Sequence, residues 1–164
     1  VRATDADINK WFNKRLHRTE FMPFAPSILA EHAAEYFNGY RDDHLAARFM
    51  TITYDCNPEK IHLCPAVVHI DATARPQVVF KEDNPGYHRL ISEYYKLSGL
   101  PLIVNTSFNM HEEPIVCSPE DALRAFASGA VDVLAMGNFL VSAADRKNSN
   151  DVEREVDTRR GVLL

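Results

Sequence analysis

With 164 residues, 46% of them apolar and 25% charged, the chain is long enough for one domain with a real core and has the make-up of an ordinary soluble globular protein. A net charge of −5 argues against a duplex-binding domain, which needs a basic face, but leaves room for one locally basic pocket. No apolar run reaches the roughly 20 residues of a membrane span, and no signal peptide is visible.

The chain starts at Val1 rather than Met, so it is expected to be one part of a longer polypeptide. Its three cysteines, Cys56, Cys64 and Cys117, are an odd count without a secretory signal. That points to free thiols in a reducing compartment, the cytoplasm. His62, Cys64 and His69 fall close together but match no compact zinc spacing, so the thiols read as small core residues. Cys117 is expected to pack in the core as well.

In chain order, residues 5–16 place Ile8, Trp11, Phe12 and Leu16 on one helical stripe, with Asp5 as cap. Two prolines make "FMPFAPSIL" (21–29) extended. Residues 30–37 form a short helix ended by Asn38-Gly39. "RFMTITY" (48–54), "PAVVHID" (65–71) and "RPQVVF" (75–80) read as strands. Asn84-Pro85 opens a helix with Tyr87, Leu90, Ile91 and Tyr94 inward, and Gly99 closes it. "LPLIVN" (100–105) reads as a buried strand. Ser118-Pro119-Glu120-Asp121 caps a helix lined by Ala122, Leu123 and Phe126, which runs to Gly129. Residues 131–136 and 139–142 end the sheet as a hairpin turning at Gly137-Asn138. Residues 1–143 are taken as the domain and 144–164 as a polar tail. Alternating strands and helices predict an α/β (mixed α+β) protein, a twisted mixed sheet with flanking helices.

Three constellations carry possible chemistry. In "NTSFN", Asn105, Ser107 and Asn109 offer hydroxyl and amide groups after a buried strand, where ligands gather beyond strand ends. They suit phosphate oxygens, ribose hydroxyls or a small amide, and are poor general bases. The plainer alternative is a Ser/Asn-rich turn bonding its own backbone. In "HIDATARPQ", His69, Asp71, Thr73, Arg75 and Gln77 alternate, so a strand would put all five on one face. Arg75 is the natural anion contact, and the plainer alternative is a solvated edge face. Lys14, Arg15 and Arg18 end the first helix, either as a phosphate clamp or as cations facing its dipole.

"RTEFMPFAPSIL", "HIDATARPQVV" and "LPLIVNTSFNMHEEPIVCSPEDALRAF…DVLAMGNFLV" resemble the C-terminal domain of the O-carbamoyltransferases of nodulation and antibiotic biosynthesis. The resemblance spans residues 5–142, is most specific in the "NTSFN…EPIVCSPEDA" block, and leans toward the nodulation branch in "RTEFMPFAPS". It implies a domain similar to the YrdC/Sua5 fold that takes carbamoyl phosphate, ATP and Mg²⁺ and makes carbamoyl-adenylate. It also implies a partner, an N-terminal Kae1-like domain of the same polypeptide. That domain, with its own bound metal, passes the carbamoyl group to a sugar-type hydroxyl.

By resemblance, Ser107 and Asn109 match a Ser-x-Asn signature for the nucleotide phosphate and carbamoyl end. Arg75 matches an arginine for carbamoyl phosphate or the adenylate, lined by His69 and Thr73. Ser107 and Asn109 are thus expected to face the Arg75 side of one cleft, with Phe108 turned to the core. Arg18 matches the arginine of a Lys-x-Arg signature, whose lysine falls on Leu16; Lys14 or Arg15 would compensate. Met22 stands where many relatives carry an arginine. Arg75 and Arg18 are the expected catalytic pair, with no metal ligand in this chain. Two other readings stay open: a nucleotide-binding module without chemistry, and an RNA-binding domain of tRNA modification, against which the net charge weighs.

Overall fold

The computed structural model describes residues 2–8, 10, 14, 24–109 and 113–143. Of the first predicted helix, Ile8, Lys10 and Lys14 are helical, and Asp5 Oδ1 accepts the Asp7 amide at 3.0 Å. Trp11, Phe12, Arg15, Leu16, Arg18 and Met22 lie outside the described residues, as does the tail. The described chain has mixed α+β content and divides into two compact units, residues 2–106 and 107–143.

The first unit is built on β1, Ala25–Leu29, whose Pro26 favours extended backbone. β1 is central in a three-stranded sheet, between β4 (Gln77–Val79) and β5 (Leu102–Asn105). It runs parallel to β4 and antiparallel to β5. Its alternating residues face two layers. Ile28 joins Val78, Leu102 and the helix α1 (Ala30–Tyr36) in the main core. Leu29 joins Val79 and Ile91 of α2 (Pro85–Ser98) on the opposite face.

α2 follows its predicted punctuation. Asn84 Oδ1 accepts the Tyr87 amide at 3.1 Å, Pro85 opens the first turn, and Gly99 closes it at φ 72°, a left-handed conformation that favours glycine. Asn84→Ala is expected to cost about 1 kcal/mol of stability, read as a shift in the urea midpoint at unchanged slope; no shift would show the cap to be idle. Ile91 is buried, and Tyr87 and Tyr94 pack against cores. Leu90, expected inward, is 56% exposed, because it falls off the stripe facing β1.

Two predicted strands are not strands. In 48–54, Leu45–Phe49 is a 3₁₀ turn, and Met50 reverses the chain at φ 55°. Thr51 closes that turn by donating its hydroxyl to the Ala46 carbonyl at 2.9 Å. Only β2 (Tyr54–Asp55) is extended. In 65–71, Pro65–Val67 is again a 3₁₀ turn. The chain then doubles back between His69 and Thr73, with Ala72 at φ 63°, before β3 (Thr73–Ala74) pairs with β2. In both places local turn chemistry outweighs the β-branched pattern.

In the second unit, α3 (Pro119–Ala127) is capped as predicted, Ser118 Oγ accepting the Asp121 amide at 3.1 Å. Ala122 and Phe126 are buried with Leu134, while Leu123 is half exposed. β6 (Val133–Met136) and β7 (Phe139–Ser142) form the predicted hairpin, with Gly137 at φ 58°. They make their own two-stranded sheet instead of ending the main one; the mixed character of the main sheet comes from β5.

Candidate functional site

Topology brings Arg75 and Asn105 together. β5 runs against β1 and β4, so its C-terminal end lies at the same end of the sheet as their N-terminal ends. Asn105 is the last residue of β5 and pairs with Ala25. Arg75 stands just before Gln77, the first residue of β4. The rule of ligands collecting at a shared C-terminal edge therefore does not apply here. One end of a mixed sheet carries both residues instead.

Both hang from Met50. Arg75 Nη1 donates to the Met50 carbonyl at 3.3 Å, and Asn105 Nδ2 lies 3.4 Å from Met50 Sδ. Asn105 Nδ2 also donates to Gln77 Oε1 at 2.9 Å. Gln77 Oε1 accepts from Ser27 Oγ at 2.7 Å, and Ser27 accepts from the Tyr87 hydroxyl at 2.9 Å. Ser27 is fully buried, the one polar side chain so placed among the described core residues, and these bonds satisfy it. A polar row thus crosses the sheet from α2 to Asn105.

His69, Asp71 and Thr73 do not share a strand face with Arg75 and Gln77, because the turn at 69–73 folds them onto one another. Asp71 Oδ1 accepts the Thr73 amide at 3.1 Å and the Thr73 hydroxyl at 2.8 Å. Those bonds, the hydroxyl's first, hold the Asp71 carboxyl below the usual carboxylate range. The hydroxyl hydrogen being committed, the 3.0 Å contact from His69 Nδ1 makes Nδ1 the donor and leaves Nε2 as an acceptor. Burial lowers the His69 pKa most; the Asp71 charge opposes this and the Arg75 charge adds to it. His69 is therefore a neutral imidazole near pH 7, within the field of Arg75.

The second unit carries Ser107 and Asn109. Ser107 is exposed, and Phe108 packs against the core of Ala122, Phe126 and Leu134, as expected. Asn109 is half-buried, and its Nδ2 donates to the Glu113 carbonyl at 2.9 Å, closing the loop in the way the plainer turn reading requires. Lys14 is exposed on its helix. Arg15 and Arg18 lie outside the described residues.

Other features argue against rival sites. A cleft of about 310 Å³ in the first unit is lined by Glu31, Asp42, Phe80, Lys81, Glu82 and His88. None of the predicted residues lines it, and its carboxylates repel phosphate. Cys56 and Cys64 are free and buried, with burial pushing their thiols up to about 11 and about 12. They are inert core residues, as expected. Cys117 is exposed, not core: its Sγ sits 3.5 Å from Asp121 Oδ2 at the start of α3. Among the described residues no group of three or more His, Cys, Asp or Glu side chains is placed to hold a metal ion. Nor is any helix there long and apolar enough to cross a membrane.

Sequence reasoning passed over Met50, Ser27 and Tyr87 as site residues. A left-handed methionine has no sequence signature. Gln77, an amide leading an apolar strand, did, and it stood in the quoted alternation.

The sequence model of the family described as "Carbamoyltransferase C-terminus" matches residues 1–143. An uncharacterized protein of Methanocaldococcus jannaschii is 40% identical over 130 residues, 79% of this chain and 25% of that protein. Nodulation protein NolO of Bradyrhizobium diazoefficiens is 40% identical over 124 residues, 76% of this chain and 22% of that protein. Nodulation protein NolNO of Sinorhizobium fredii is 39% identical over 140 residues, 85% of this chain and 20% of that protein. The chain spans about a fifth to a quarter of the length of these relatives.

Proposed function

The chain belongs to the carbamoyltransferase C-terminal family, and from that premise we propose that it supplies the activating half of an O-carbamoyl transfer. Carbamoyl phosphate is hydrolysed to carbamate and inorganic phosphate. A carbamate oxygen then attacks the α-phosphorus of ATP, the bond to the bridging oxygen breaks, and carbamoyl-adenylate forms as pyrophosphate leaves. An N-terminal Kae1-like domain passes the carbamoyl group to a sugar hydroxyl. Free buried thiols fit a reducing compartment, so the reaction is assigned to the cytoplasm.

The observation that carries the reading is the pairing of Arg75 with Asn105 through Met50 at one end of the sheet. The attack brings two anions together, so the protein must offset charge and align the groups without forming a covalent bond. Arg75 is a fixed cationic fork, and one N–H on Met50 leaves the rest of its donors for an oxyanion. His69, neutral and next to that charge, offers Nε2 as an acceptor and does not compete for the anion. By the family resemblance, Arg18, with Lys14 or Arg15 in place of the signature lysine, would offset charge on the phosphates. Mg²⁺ would enter with ATP and offset part of the phosphate charge.

Ser107 and Asn109 take the nucleotide. The Ser107→Ala/Asn109→Ala double variant is expected to lose about 1–3 kcal/mol of ATP-analogue affinity by calorimetry. Asn109 also holds the Glu113 carbonyl, so the ligand-free melting temperature of the variant separates a loosened loop from a lost contact. An ATP-induced thermal shift that survives in the double variant would make the loop only a turn.

The test of the whole reading is exchange of labelled pyrophosphate into ATP, which should require carbamoyl phosphate. Exchange in its absence, or none with both substrates bound, would refute the activation step. The second result would leave a nucleotide-binding module.

A further inference from the structure

Asn105 is fixed in one orientation, and that orientation dictates what it can read. Resting on the function proposed above, we infer that Met50 is a positioning residue that turns the Asn105 carbonyl outward. This end of the sheet then selects a ligand bearing an anion and a hydrogen-bond donor side by side, as carbamoyl phosphate does.

The two ends of an amide have nearly the same shape, so its partners decide which end is which. Gln77 Oε1 accepts from Ser27 Oγ and from Asn105 Nδ2. That row alone is symmetric. Both amides could turn over together, with Ser27 donating to Tyr87, and every bond would be remade in reverse. Met50 removes the symmetry. Its thioether sulfur can only accept, and it lies 3.4 Å from the terminal Asn105 atom assigned as nitrogen. An oxygen there would set lone pair against lone pair. The nitrogen therefore faces Met50, and its two N–H groups are both committed, one to Gln77 and one to the sulfur.

What Asn105 has left to offer is Oδ1, an acceptor. It repels a phosphate oxygen and takes an N–H or O–H. Arg75 offers the complement, a charged donor for an oxyanion, and is tied to the backbone carbonyl of the same Met50. Acceptor and cationic donor are thus hung from one residue. The chain reverses at that residue with φ 55°, a conformation uncommon for a long side chain such as methionine's, and local strain of this kind clusters at functional sites. Carbamoyl phosphate carries an NH₂ and a phosphate on one small frame. Acetyl phosphate has the same size and anion, with a methyl group in place of the NH₂.

Calorimetric titration of the chain with each compound alone tests this. The wild-type chain is expected to prefer carbamoyl phosphate by about 10- to 100-fold, the effect of one lost hydrogen bond that leaves its partner unpaired. Met50→Leu keeps the bulk and removes the acceptor. It should bring the preference within about threefold, by weakening carbamoyl phosphate and not acetyl phosphate; a general structural defect would weaken both alike. A folded Met50→Leu chain that keeps the full preference overturns the inference, as does a wild-type chain that binds both equally. Should Met50→Leu fail to fold, Asn105→Ala carries the same comparison, and a preference retained there overturns it too. A folded wild-type chain that binds neither compound fails the proposed function itself, and the inference falls with it.

Discussion

An Arg75→Ala chain is expected to bind carbamoyl phosphate about 10- to 150-fold more weakly while keeping its fold. The figure is that of one hydrogen bond to a charged group, about 1.5–3 kcal/mol. The fold should hold because Arg75 is only half-buried, and its one hydrogen bond among the described residues, to the Met50 carbonyl, is a long one at 3.3 Å. The same variant has an internal control. The Arg75 charge is one of the influences that lower the His69 pKa, so its removal should let that pKa rise. Proton NMR of the His69 ring would follow it. A raised His69 pKa with unchanged carbamoyl phosphate affinity would place Arg75 beside His69 and outside the ligand site. An unmoved His69 would instead point to a rearranged turn.

Ile28→Ala is expected to cost about 2–5 kcal/mol of stability, the range for a large aliphatic side chain removed from a core. Ile28 is fully buried in β1, the central strand, which is hydrogen-bonded on both edges. The neighbouring strands are pinned by those ladders, so the space left by the side chain has little room to collapse. The same truncation at Leu90, 56% exposed on α2, should stay within about 0.5 kcal/mol. Urea denaturation followed by circular dichroism compares the two directly. A loss under 1 kcal/mol at Ile28 would mean that the centre of the sheet is not the seat of stability.

What the sequence made legible was its punctuation. Asn84-Pro85 with Gly99, Ser118 with Pro119, and Gly137-Asn138 each mark a boundary through a backbone need that only those residues meet, and each boundary stands. The stretches 48–54 and 65–71 were misread because β-branched alternation reports a preference for extended backbone, not the presence of a partner edge. Thr51 and Asp71 spend their side chains on turns, and such local bonds leave the alternation untouched. The supposed polar face at 69–77 dissolved for the same reason, although the turn still gathers His69, Asp71 and Thr73. That Arg75 and Asn105 meet was not legible. Their meeting depends on the direction in which β5 runs, and nothing in "LPLIVN" states its partner's orientation. Met50 was hidden more deeply, since its role arises from a reversal of the chain and not from its side-chain type.

The order of strands also sets a schedule for assembly. β1 gains its parallel neighbour only once Gln77–Val79 has been made, and its antiparallel one only with Leu102–Asn105, so that Ala25 waits for Asn105. Contacts so distant along the chain are slow to form, because loop entropy is lost before they reward it. On the ribosome, the central strand therefore emerges before either partner and lacks at least one of them while more than half of the described chain is being synthesised. Its "SIL" edge is in that interval a template for any other extended segment. Pro26, which has no backbone N–H to give, blunts it.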